Sequence, residues 1–171
     1  MNGLAGVREE AGVWSFEAPN EATTLAIAAA QAAWLEPGDF VALSGDLGAG
    51  KTAFARGLIR ALAEAPELEA PSPTFTLMQV YDAPRGPVVH ADFYRLRGPM
   101  ELANLGWDEA IEGAIAIVEW PEKVAEALPS DRLEVDIRLD ANRGPDFRLV
   151  TLRGFGAVSV EVMTFQLGVP R

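Results

Sequence analysis

A chain of 171 residues with 49% hydrophobic and 23% charged residues has the balance of one globular unit, not of a disordered segment. With 14 basic against 25 acidic residues the net charge is −11, a surface that repels nucleic-acid phosphates, so any work on nucleic acid falls to partners or to a local basic patch. The absence of cysteine excludes disulfides, cysteine-ligated zinc, iron–sulfur clusters and thiol catalysis.

Residues 1–8 contain no basic segment leading into an apolar run, and the longest apolar stretch, 25–35, is too short to span a bilayer. Both features predict a soluble, cytoplasmic protein without a membrane association. Residues 13–16 read as a short strand. Pro19-Asn20 supplies a turn and an N-cap to a helix over 21–35, rich in Ala, Leu and Ile, which Pro37-Gly38 ends. The apolar run 40–43 reads as a buried strand, followed by a glycine-rich loop and a helix over 51–63. A loop with three prolines covers 66–73. Strands over 75–81 and 88–91 are separated by a Pro-Arg-Gly-Pro turn that is too short for a crossover helix, so these two strands pair antiparallel. Residues 99–113 read as helix in two pieces broken near Gly106. Residues 114–118 form another buried strand, running into Glu119-Trp120, and Pro121 opens a short helix to 128. Period-two alternation over 133–139 and 147–152 around Asn142-Arg143-Gly144 predicts a second hairpin. A last edge strand is expected over 158–163. The fold class is therefore α/β, a single domain over residues 1–171 with a mixed parallel/antiparallel central sheet flanked by helices, and the loop Gly45-Asp46-Leu47-Gly48-Ala49-Gly50-Lys51-Thr52 between strand and helix marks it as a P-loop NTPase domain; the tail after about residue 155 is given no role.

The segment Gly45, Asp46, Leu47, Gly48, Ala49, Gly50, Lys51, Thr52 matches G-x-x-x-x-G-K-[ST] between a strand and a helix, the context a phosphate loop requires. Successive backbone N–H groups must point inward around oxyanions, which glycine permits, and the following helix adds its positive end. Lys51 supplies a mobile charge for the β- and γ-phosphates, and the Thr52 hydroxyl is a hard ligand for Mg²⁺. No Asn-Lys-x-Asp guanine reader occurs late in the chain, which favours ATP over GTP.

Phosphoryl transfer needs positioning, metal and charge more than covalent help. Two acids stand at the ends of buried strands beside the loop, Glu119 and Asp92, and either could complete the metal shell; the plainer reading of each is a solvated strand-end acid, and Asp92 also suits a helix cap. Ser72-Pro73-Thr74 reads first as a turn with local hydroxyl–backbone bonds, and second as a pair of hydroxyls able to sense a γ-phosphate. His90, the single histidine, reads as structural, and Trp107 and Trp120 as core or rim aromatics.

The phosphate loop, Ser72-Pro73-Thr74-Phe75-Thr76-Leu77, His90-Ala91-Asp92-Phe93-Tyr94-Arg95-Leu96 and Val118-Glu119-Trp120-Pro121-Glu122-Lys123 occur in this order, and the combination closely resembles the TsaE family of bacterial ATPases in tRNA threonylcarbamoyladenosine biosynthesis. The resemblance covers about residues 21–139. It implies ATP hydrolysis with Mg²⁺ in support of a partner complex of TsaD and TsaB-like proteins, which moves a threonylcarbamoyl group onto tRNA adenosine; tRNA is met only through that complex. It also implies Lys51 as the phosphate lysine, Thr52 and Glu119 at the metal, Asp92 as an essential acid, and Ser72 and Thr74 in a switch-like loop. Tyr94 and Arg95 stand where the family keeps these residue types, for structure or partner contact. A nucleotide-gated, non-catalytic binding module is the alternative from another class. A small-molecule kinase is a weaker alternative, since the sequence shows no lid arginines.

Overall fold

The computed structural model describes Leu4, residues 6–10 and residues 12–158. In chain order the elements are β1 (Gly6–Glu10), β2 (Val13–Ala18), α1 (Glu21–Ala32), β3 (Phe40–Ser44), α2 (Lys51–Leu62), β4 (Met78–Tyr81), β5 (Val88–Asp92), α3 (Trp107–Ile111), β6 (Ile115–Glu119), β7 (Arg132–Leu139) and β8 (Arg148–Phe155). Short 3-10 turns lie at Pro99–Glu101, Ala103–Leu105 and Pro121–Ala127. Asn20 caps α1, its side-chain oxygen accepting from the Thr23 N–H at 2.9 Å.

These eight strands form one mixed sheet in the order β1-β2-β8-β7-β3-β6-β5-β4. The central strands β7, β3, β6 and β5 run parallel to their neighbours within that group, and the flanking pairs are antiparallel, β4 with β5 among them. β3, β5 and β6 are almost wholly buried because helices cover both of their faces, which is why their sequences are continuous apolar runs. β7 instead alternates, with Leu133, Val135 and Ile137 inward and Glu134, Asp136 and Arg138 on a face without a helix.

α1 and α2 lie on one face, where Ile27, Ala28, Phe54, Leu58 and Ile59 pack on Leu43, Ile115, Ile117, Val135, Ile137 and Val150. On the other face of β3, β6 and β5, Phe93, Leu102, Trp107 and Val124 form a second core. Trp107 stands edge-on to Phe40 and Phe93, with ring centroids 6.4 and 5.1 Å away.

The structure departs from the sequence reading at several boundaries. The strand expected from residue 75 begins at Met78, because the Leu77 N–H donates to the Pro73 carbonyl at 2.6 Å with Leu77 at φ 66°, closing residues 73–77 into a turn. α1 stops at Ala32, short of residue 35. The first piece of 99–113 is two 3-10 turns, and Gly106 at φ 63° makes the expected break before α3. β1 was not expected, since Gly-Val-Arg-Glu-Glu lacks an apolar alternation; it pairs with β2 as an edge strand. The strand expected over 158–163 falls, from residue 159 on, outside the described residues.

The α1–α2 contact depends on Gly57 in the middle of α2. A Cβ there would stand 2.8 Å from the Ala28 methyl and 2.9 Å from the Leu25 carbonyl oxygen. Gly57→Leu is therefore expected to destabilise the fold by about 1–3 kcal/mol in chemical denaturation despite leucine's better helix propensity. An unchanged midpoint would show that the two helices separate freely at this point.

Candidate functional site

The site is assembled where three parallel strands end together. Leu43 is in register with Glu119, and Asp92 with Glu119, so the carboxyl ends of β3, β6 and β5 share one edge, the side of an α/β sheet on which ligands bind. From Ser44 the chain leaves β3 into the glycine loop. Gly45 takes φ +142°, and a side chain there would collide with the Ile137 carbonyl oxygen. Gly50, at φ 112°, opens α2 without a side-chain cap, so the amides of the first turn are not claimed by a capping group.

Lys51, Asp92 and Glu119 are buried. The Lys51 ammonium donates to the carbonyls of Gly45 at 2.6 Å and Asp46 at 2.9 Å, and its Nζ stands 3.8 Å from the centre of the Trp120 ring. Burial holds its pKa below the ordinary lysine value, opposed by the charges of Glu119, Glu122, Asp92 and Asp46. Glu119 is gripped at both oxygens: the Thr52 hydroxyl donates to Oε2 at 3.0 Å, and His90 Nε2 lies 2.9 Å from Oε1. Asp92 is also fully engaged. Its Oδ2 accepts from the hydroxyls of Ser72 at 2.6 Å and Thr74 at 2.8 Å, and its Oδ1 from the Tyr94 N–H at 2.9 Å. Ser72 and Thr74 thus give their hydroxyl hydrogens to a buried carboxylate, with their own oxygens 2.8 Å apart, in place of the backbone bonds that a plain turn would use.

One cleft of about 390 Å³ is lined by Leu47, Gly48, Gly50, Lys51, Thr52, Ser72, Thr74, Asp92 and Glu119, together with Tyr94 and Trp120. Gly45, Asp46 and Ala49 do not line it. The first two present carbonyls to Lys51, while the Ala49 carbonyl accepts from Arg148 Nε at 2.8 Å. Trp120, Tyr94, His90 and Arg148 were not assigned to the site by the residue pattern itself. Trp120, in the left-handed region at φ 60°, roofs Lys51 and stacks tilted on Tyr94 at 4.9 Å. The signal for it was present: an aromatic directly after a site acid and directly before a proline that fixes the chain's exit. Arg148 braces the loop from across the sheet, and nothing in its local sequence announces that.

The donor set suits Mg²⁺. Thr52 Oγ1 and Glu119 Oε2 are hard oxygens side by side at the end of the loop, and among the described residues no group of three or more His, Cys, Asp or Glu is arranged to hold a metal ion. Two protein oxygens, completed by phosphate and water, is the usual form of a magnesium–nucleotide site.

A family model described as threonylcarbamoyl adenosine biosynthesis protein TsaE matches residues 18–145. The chain belongs to the TsaE family. Among proteins named tRNA threonylcarbamoyladenosine biosynthesis protein TsaE, that of Rickettsia bellii is 40% identical over 120 residues, 70% of this chain and 83% of the relative. That of Bacillus subtilis is 38% identical over 144 residues, 84% of this chain and 85% of the relative. The crystal structure of Bacillus subtilis YdiB shares the fold at a TM-score of 0.71 and 32% identity, covering 94% of this chain and 97% of that one. The matched segment of this TsaE-family chain spans every residue that lines the cleft, and Arg148, which braces the loop, lies just beyond the match.

Three donors converge on Asp92, and an asparagine there offers one acceptor oxygen in place of two. Asp92→Asn should cost about 1–3 kcal/mol, the penalty of a buried donor left unpaired, and should raise amide hydrogen exchange over residues 72–77. Unaltered exchange in that segment would show that Asp92 does not hold it.

Proposed function

We propose that this TsaE-family chain binds and hydrolyses ATP with Mg²⁺, and that the hydrolysis supports threonylcarbamoyl transfer to tRNA adenosine by a partner complex of TsaD and TsaB-like proteins. The observation that carries the proposal is the pairing of Thr52 Oγ1 with Glu119 Oε2 at 3.0 Å, beside a buried Lys51 and an uncapped helix start. In this reading Lys51 leaves the Gly45 and Asp46 carbonyls for the β- and γ-phosphates. Thr52 and Glu119 hold Mg²⁺, which when bound offsets the charge developing on the transferred phosphoryl group. Asp92 is the second acid, and its access to water depends on release of the Ser72 and Thr74 hydroxyls that now occupy it.

The cleft also suits a gate. The two hydroxyls of the 72–74 segment line the same space as Lys51 and Thr52, so a γ-phosphate with Mg²⁺ competes with Asp92 for them. The second reading, a nucleotide-gated module without turnover, draws on the same observation: Asp92 is engaged as an anchor and not free as a base.

The charge of −11 supports contact with tRNA only through partners. Of the arginines that could form a local basic patch, Arg56 pairs with Glu21 at 3.3 Å and Arg60 donates to the Leu68 carbonyl at 2.9 Å, whereas Arg95 and Arg97 are exposed. Among the described residues no helix is long and apolar enough to cross a membrane.

The test is steady-state release of phosphate from ATP, with and without Mg²⁺ and the partner complex. The wild-type chain should turn over only with Mg²⁺. Glu119→Ala should lower kcat by about a hundredfold or more while keeping the fold by circular dichroism, because it removes a charge from a site built on electrostatic positioning. Turnover that survives in Glu119→Ala would unseat this acid, and nucleotide binding without turnover in any condition would leave the gated module as the function.

A further inference from the structure

We propose that His90 is a positioning residue: it fixes the carboxylate of Glu119 through Oε1 so that Oε2 faces Thr52 and the bound cation. The inference rests on the reading of Glu119 as the acid of the magnesium site.

His90 is fully buried on β5, two residues before Asp92, and therefore on the same face of the sheet. Its Nε2 is 2.9 Å from Glu119 Oε1, and Glu119 Oε2 is 3.0 Å from the Thr52 hydroxyl. A carboxylate only accepts, so Nε2 carries the hydrogen. His90 Nδ1 is buried with no hydrogen-bond partner among the described residues. The ring is therefore held to the protein's polar groups through Nε2 alone, and that one bond aims at Glu119.

The bond matters for the cleft because it engages one carboxylate oxygen and leaves the other toward Thr52. A free glutamate has three side-chain torsions to immobilise when it binds a metal, and the His90 bond fixes the terminal one before the nucleotide arrives. The Thr52 bond can open toward the cation while the His90 bond stays.

The test compares His90→Leu, His90→Gln and His90→Asn in the full chain with Glu119→Gln alongside, measuring the Mg²⁺ concentration for half-maximal ATP turnover, ADP affinity without Mg²⁺, and thermal stability. The amide nitrogen of glutamine reaches the position of Nε2, whereas that of asparagine reaches only the position of Nδ1. His90→Leu should raise the Mg²⁺ requirement by about tenfold or more, as loss of an outer-shell partner does, and leave metal-free ADP affinity unaltered. His90→Gln should recover most of the loss and His90→Asn should not. In a Glu119→Gln background, His90→Leu should add no further shift. If His90→Leu does not fold, the contrast between Gln and Asn decides: recovery by Gln alone supports the inference, and equal Mg²⁺ shifts in both overturn it. A large Glu119→Gln effect beside an unaltered Mg²⁺ requirement in His90→Leu overturns the positioning role alone. A Glu119→Gln protein with wild-type Mg²⁺ dependence overturns the reading of Glu119 and this inference with it.

Discussion

The hydrogen bond from Thr52 to Glu119 joins the first turn of α2 to the end of β6, and the remainder of the cleft is organised around that joint. It forms because β3 and β6 are parallel neighbours with Leu43 level with Glu119, so the loop that leaves β3 returns into a helix whose second residue faces the adjacent strand end. Gly45 and Gly50 make the return short, and Ile137 and Arg148 from β7 and β8 close on the loop from the far side. An uncharged donor to a carboxylate is worth about 1.5–3 kcal/mol, enough to hold the loop in shape without a ligand yet small beside the interactions a triphosphate offers.

The site concentrates features that a stable core avoids. Two carboxylates and one ammonium are buried at one sheet edge, and Trp120 adopts a left-handed conformation that a tryptophan reaches only at a cost of about 1–3 kcal/mol. Each is compensated locally. Lys51 has two carbonyls and an aromatic face, Glu119 has a hydroxyl and an imidazole, and Asp92 has two hydroxyls and an amide. The polar groups of the cleft are thus satisfied by one another, and in the proposed function a nucleotide would exchange those bonds for its own. Burial draws the Lys51 pKa below its usual value, an effect that the phosphate charge of the proposed function would oppose.

How much of this was legible beforehand follows from the range of each interaction. The phosphate loop is contiguous, so its spacing announced itself, and the buried parallel strands were readable as apolar runs ending in Asp92 and Glu119. The bond between His90 and Glu119 spans 29 residues and depends on the register of β5 with β6, which no local pattern encodes. Arg148 is further still, 99 residues from the carbonyl it braces. The 73–77 turn was misread as strand because Thr-Phe-Thr-Leu has strand-forming residue types, whereas a single backbone bond to Pro73 decides the local conformation. β1 was missed because an edge strand needs no apolar alternation when one neighbour supplies all of its pairing.

In the proposed function the 72–74 segment would report the contents of the cleft outward. Its hydroxyls line the cleft and bond Asp92, while the next residue, Phe75, is 86% exposed on the surface. A ligand shifts such a segment only through contacts that differ between its two arrangements, and the γ-phosphate is the group that differs between ATP and ADP. The most direct measurement is the affinity of the chain for the TsaD–TsaB complex with Mg²⁺–ADP and with a slowly hydrolysed Mg²⁺–ATP analogue, for wild type and for Ser72→Ala with Thr74→Ala. Tighter binding with the ATP analogue in wild type, and no difference between nucleotides in the double variant, is the expected result. Equal affinity in both nucleotide states of the wild type, or a difference that survives in the double variant, would contradict it.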